Sequence, residues 1–211
     1  MPRPKESRTI EPECRNRWIA SPDPGVMLET AMANKSSKAT WASVKARLQQ
    51  LDRGALVSLL GDIYRSSPEN RRFLHARLLG SQIELDKYRK LVVDAVYPEP
   101  FSQRPVRVKE AERLIRHYRQ ATNDAEDTVD LMLSFVEAGT DQAADLGYGE
   151  ERYFGALGKA LDGVAATLAE LAPDTRRRAV ARIQQIAARA DSIGWGYCDY
   201  AREIATQVGE T

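Results

Sequence analysis

Leu131-Met132-Leu133-Ser134-Phe135-Val136 is the stretch that decides the fold. Five large apolar side chains in six positions leave a helix at this point apolar nearly all round, so it belongs at the centre of a bundle. Asn123 or Asp124 supplies the N-cap ahead of it, and Gly139 is the expected end. On its N-terminal side, Val106 to Ala121 reads as a helix with Val108, Ala111, Ile115 and Tyr118 on one face. On its C-terminal side, a glycine-containing loop over 139–149 leads into a helix running to Leu171. Phe154, Leu157, Leu161, Val164, Leu168 and Leu171 follow there at alternating spacings of three and four. Gly155, Gly158 and Gly163 fall inside that helix, each at a cost of ~1 kcal/mol against alanine. They are expected to let another helix come close.

The same punctuation extends to both ends. Pro173-Asp174 opens a helix to about Ser192, and Gly194 and Gly196 mark the turn into a last helix, Tyr197 to Val208. Toward the N-terminus, Thr40 caps a helix over Trp41–Leu51. Asp52 caps a second to about Arg65, with Leu56, Leu59, Leu60 and Ile63 on one face. Ser66-Ser67-Pro68-Glu69 starts a third, with Ser66 and Glu69 at capping-box spacing, ending at Gly80. Ser81 to Val96 is a fourth, and Pro98, Pro100 and Pro105 exclude helix from the loop that follows. No alternating strand and no repeat period interrupts this pattern. The expectation is an all-α, single-domain bundle of eight or nine mostly antiparallel helices.

Residues 1–31 differ. They hold Pro2, Pro4, Pro12, Pro22 and Pro24, mixed charges and little periodicity, so they read as a disordered tail or a mis-assigned N-terminal extension. Met32 is a second plausible start, which makes 32–211 the helical domain. The chain of 211 residues is 43% hydrophobic and 29% charged, with a net charge of +1. That composition excludes a strongly basic protein, and no apolar run approaches the ~18 residues of a membrane span. Cys14 and Cys198 are too few for a disulfide framework, and no signal-peptide pattern precedes them, so a cytoplasmic location is expected.

The near-zero charge is a cancellation. Arg104, Arg107, Lys109, Arg113, Arg116 and Arg119 crowd residues 104–119, while residues 120–151 hold nine acidic residues and no basic one. Lys109, Arg113 and Arg116 share one helical face, and Asp127, Asp130 and Glu137 share another on the next helix. Mutual attraction between these neighbours is the plain expectation, and a surface selecting a charged partner is the functional one. Arg176, Arg177, Arg178, Arg182 and Arg189 form a further basic row, and Arg71, Arg72 and Arg77 a third.

Catalytic signatures are missing. No Walker loop, Rossmann fingerprint, Gly-x-Ser-x-Gly elbow or His-Glu-x-x-His occurs, and no cofactor is implied. His75 lies among Arg71, Arg72 and Arg77, and His117 follows Arg113 and Arg116; basic neighbours lower a histidine's pKa. Gly194-Trp195-Gly196-Tyr197-Cys198-Asp199 is the most distinctive string, either a corner plugged by its rings or a pocket anchored by Asp199.

Several strings together carry a resemblance: Trp41 with Val44-Lys45, Leu60 to Tyr64, Asn70 with Phe73-Leu74-His75-Ala76-Arg77, Lys109-Glu110-Ala111, Asp130-Leu131-Met132, and Gly194 to Asp199. In this order they resemble an uncharacterised family of small bacterial all-helical proteins, a domain of unknown function. The resemblance spans about residues 38–205 and implies an all-helical fold starting near Trp41. Trp195 and Cys198 stand at positions that vary in that family. It implies no activity and no catalytic residue. The expected function is a non-catalytic interaction or adaptor module with a protein partner, working through charged helix faces. Candidate contacts are His75, Arg77, Arg113, Arg116, Asp127, Asp130, Arg178 and Arg182. The alternatives are a nucleic-acid-binding accessory protein using the arginine clusters, and a small-ligand binder or enzyme with a pocket near Trp195 and Asp199.

Overall fold

A computed structural model describes residues 40–99, 102–194 and 196–210. These divide between two units that meet at Asp52 and Arg53. In the first, α1 spans Trp41–Leu48 and is closed by a reciprocal capping box. Thr40 Oγ1 accepts from the Ser43 N–H at 3.3 Å, and Ser43 Oγ accepts from the Thr40 N–H at 3.1 Å. None of its residues is buried. The expected domain start at Met32 lies outside the described residues.

The second unit holds eight helices: α2 (Arg53–Ser66), α3 (Pro68–Leu79), α4 (Gln82–Val96), α5 (Val108–Thr122), α6 (Ala125–Leu146), α7 (Glu151–Thr167), α8 (Pro173–Arg189) and α9 (Tyr197–Gly209). Short 3₁₀ turns follow α7 and α8, and no strand occurs among the described residues. The all-α expectation holds.

Helix α6 is the hub, packing against α4, α5, α7 and α8. Leu131, Leu133, Phe135 and Val136 are buried, which is what an apolar-all-round stretch requires. The expected end at Gly139 is overturned: α6 continues to Leu146 and closes on Gly147 with φ 64°. Gly139 is there for packing. A Cβ at this position would stand 2.5 Å from Leu157 Cδ2, and the Gly139 carbonyl accepts a 2.7 Å hydrogen bond from Tyr153 Oη. Both helix-junction candidates are used. Asn123 takes φ 55° as the C-cap of α5, and Asp124 caps α6 by accepting from the Asp127 N–H at 3.0 Å.

Two other expectations shift. The cap of α3 is Ser67, which accepts from the Asn70 N–H at 3.1 Å. Ser66 ends α2 instead, and Glu69 reaches across to α5. Among the α7 glycines, Gly158 admits Tyr200 of α9 and Gly163 admits Met132 of α6, as expected of close approach. Gly155 has nothing within 4 Å of where a Cβ would stand.

Candidate interaction site

Four expected site residues converge on one cleft between α4, α6 and α8. Asp127, Asp130, Arg178 and Arg182 line it with Arg89, around a volume of about 350 Å³. The charges there are mostly spent on one another. Arg182 grips both Glu137 oxygens at 2.6 Å and Asp130 Oδ1 at 2.7 Å; Arg89 holds Asp130 Oδ2 at 2.6 Å from the other side. Asp127 accepts a 2.6 Å bond from Tyr118 Oη, while burial pushes its carboxyl above the usual range. Farther along, Arg189 pairs with Asp141 and Asp145.

The expected attraction between the basic stretch of α5 and the acidic stretch of α6 is therefore corrected. The acidic face of α6 points toward α4 and α8, and the arginines of those helices neutralise it. Helical periodicity groups charges by face but does not say which neighbour a face meets.

Other expected residues join α3 to the bundle. Arg113 pairs with Glu69 at 2.7 Å, and Arg77 Nη1 donates to the Ala121 carbonyl at 2.8 Å. His75 Nε2 lies 3.0 Å from Tyr64 Oη, and its Nδ1 3.8 Å from the buried Glu84. Phe73 packs its ring on His117, whose Nδ1 is 2.8 Å from Tyr88 Oη. Burial pushes the Tyr88 hydroxyl up to about 12. His117 is held below the ordinary histidine range, first by burial, with Arg72 and Arg113 adding to the effect and Glu69 opposing it.

A depressed folded-state pKa makes the neutral imidazole part of the fold. Its stabilisation is fully present above the unfolded value of about 6.5 and is lost as pH falls through the folded value. Urea midpoints at pH 7.5 and pH 5 are expected to fall more for wild type than for His117→Gln. Equal slopes would show that His117 does not titrate with folding.

The arginine row of α8 is also engaged. Arg176 donates to the Leu168 and Ala169 carbonyls, Arg177 pairs with Asp174, and Arg178 donates to Thr175 Oγ1 at 3.1 Å. Arg116 is exposed and makes no ion pair among the described residues. At the C-terminal corner, Trp195 lies outside the described residues. Tyr197 is buried with its hydroxyl 2.8 Å from Thr140 Oγ1, which supports the plugged-corner expectation. Asp199 is exposed and 3.4 Å from Arg202. The carboxylates lining the adjacent hollow are Glu151 and Asp162, not Asp199.

What sequence reasoning missed is the outer face of α2. Leu56, Leu59, Leu60 and Ile63 were expected to share one helix face, and no residue of α2 is buried. Val57 is 62% exposed and Leu60 47%. The packing partner of α2 within this unit is α3, joined to it by the Tyr64–His75 hydrogen bond. Leu78, Leu79 and Ile83 are each about two-thirds exposed. A signal was present: α2 is apolar on more than one face, with Leu56, Val57, Leu59, Leu60, Ile63 and Tyr64 among only three charged residues.

No group of three or more metal-ligating side chains occurs among the described residues. None of their helices is long and apolar enough to cross a membrane. No family model, no curated protein and no solved structure matches the chain.

Proposed function

We propose that this protein is a non-catalytic interaction module of the adaptor type, and that its principal docking surface is the apolar face of α2 and α3. One observation carries this reading: α2 presents large apolar side chains on its surface and buries none. Contiguous exposed apolar patches above a few hundred Å² mark contact sites on soluble proteins. Val57, Leu60 and Ile63 of α2, Leu78 and Leu79 of α3 and Ile83 at the start of α4 are each 40–72% exposed. The acidic face of α6 expected to recruit a partner is instead engaged by Arg89, Arg182 and Arg189 within the bundle.

A photo-crosslinking side chain at Leu78 tests this in the native host. The expected result is a discrete crosslinked protein band that a probe at the exposed Arg177 does not give. Combining Leu60→Glu with Leu79→Glu is expected to abolish that band while moving Tm by no more than ~2 °C, because neither side chain is buried. No band from Leu78, or cooperative unfolding of the double variant, would refute the reading.

A further inference from the structure

The charge correction described above leaves one group of cations unaccounted for. The acidic face of α6 is neutralised by Arg89, Arg182 and Arg189, from α4 and α8. The basic stretch of α5 is consequently not used up by its neighbour in sequence. Lys109, Arg116 and Arg119 of α5 make no ion pair among the described residues, and neither do Arg152 and Lys159 of α7. These five cations flank one trough.

Both α5 and α7 lie against α6 but scarcely touch each other, so a channel runs between them over α6. It comprises two hollows of about 280 and 690 Å³ that share Glu112, Ala156 and Lys159 and are therefore continuous. The floor is apolar, made by Ile115, Met132, Phe135, Ala156 and Ala160. Lone carboxylates on the rim are Glu112 and Glu150, so positive charge dominates. Along α5, the wall from Val108 to Arg119 is about 18 Å long at 1.5 Å per residue, the length of three helical turns.

Gly155 supplies an independent observation. It sits inside α7, where glycine costs roughly 1 kcal/mol against alanine. Unlike Gly158 and Gly163, it admits no neighbouring side chain, and it lines the trough. A larger side chain here has open space before it, between the trough and the hollow beside Tyr200.

We infer that the α5–α7 trough is a second docking site, and that its occupant is an acidic amphipathic helix of a partner protein. An apolar stripe at i, i+3, i+4 and i+7 would lie on the Met132–Phe135 floor. Glutamates or aspartates on its two flanks would meet Arg116 and Arg119 on one side and Lys159 and Arg152 on the other. The trough lies on different helices from the α2–α3 face, so the two sites stand or fall separately.

The test uses the full chain and a fluorescein-labelled 14-residue peptide with leucine at the four stripe positions and glutamate beside them. Fluorescence anisotropy is expected to show saturable binding that weakens as salt rises. A matched peptide with lysine in place of glutamate is expected to bind at least tenfold more weakly. Arg116→Glu combined with Lys159→Glu is expected to weaken the acidic peptide at least tenfold. Both positions are exposed, and circular dichroism is expected to be unchanged. Gly155→Leu is expected to weaken binding at least fivefold while raising Tm, a combination that damage to the fold does not produce. No saturable binding, or equal affinity for the two peptides, would overturn the proposal. Release of the peptide by a single-stranded oligonucleotide at equal concentration would also overturn it, in favour of a polyanion site. Binding that survives the trough variants but is lost with Leu60→Glu and Leu79→Glu would assign the peptide to the α2–α3 face instead.

Discussion

Gly139→Ala is expected to cost this protein about 2–3 kcal/mol, although alanine is the better helix former. The propensity gain of ~1 kcal/mol is outweighed because the added Cβ would stand 2.5 Å from Leu157 Cδ2, 3.1 Å from Cδ1 and 3.2 Å from Tyr153 Oη. Leu157 is fully buried, and close-packed interiors leave little room for a side chain to rotate. The remaining response is to push α7 outward, which strains the Tyr153–Gly139 hydrogen bond. In a chain of this size the loss should appear as a fall in Tm of roughly 5–10 °C. A double-mutant cycle with Leu157→Ala separates the causes: the pair should cost clearly less than the sum of the single changes. A Tm for Gly139→Ala at or above wild type would show that α6 and α7 do not meet as described.

The second large effect is expected at Arg182. Its side chain is three-quarters buried and holds Glu137 with two hydrogen bonds, Asp130 with one, and Ser134 Oγ at 3.2 Å. Arg182→Met keeps the aliphatic stem but leaves Glu137, two-thirds buried, with no cation beside it. Asp130 keeps Arg89. Breaking one side of a fully buried pair costs about 3–5 kcal/mol; the partial exposure here lowers the expectation to about 2 kcal/mol. Adding Glu137→Gln to Arg182→Met is expected to restore most of that loss, because the uncompensated charge is then gone. Chemical denaturation of the single and double variants measures both values. A stable single variant, or no recovery in the double, would show that the network does not hold α8 on α6.

The fold was legible in the sequence because its signals are local. Thr40 and Asp124 announce helix starts through side-chain oxygens that accept from the next turn's N–H groups, and Gly80 an end through its left-handed backbone; the alternating spacing from Phe154 to Leu171 marks a face whatever it packs on. Gly139 misled because one residue type serves two purposes, a left-handed cap and a close approach, and only the neighbouring helix distinguishes them. The candidate site was less legible for the same reason. Periodicity placed Asp130 and Glu137 on one face, but their partners Arg89 and Arg182 come from helices whose positions depend on tertiary packing. The leucines of α2 repeat as core leucines do; the difference is the missing neighbour, which α2 itself records only in being apolar on more than one face.

The ion cluster on α6 also orders events in time. Asp130 bonds to Arg89, 41 residues before it, and to Arg182, 52 residues after it; Glu137 bonds to Arg182, 45 residues later. A chain leaving the ribosome from its N-terminus thus offers Asp130 its first cation as soon as α6 emerges. Glu137 waits until most of α8 has been synthesised. In that interval the most apolar helix of the bundle carries unpaired carboxylates facing the place its last neighbours will take. Burying that face against another nascent chain would cost the hydration of those carboxylates. The arginines of α8 release the water when they arrive.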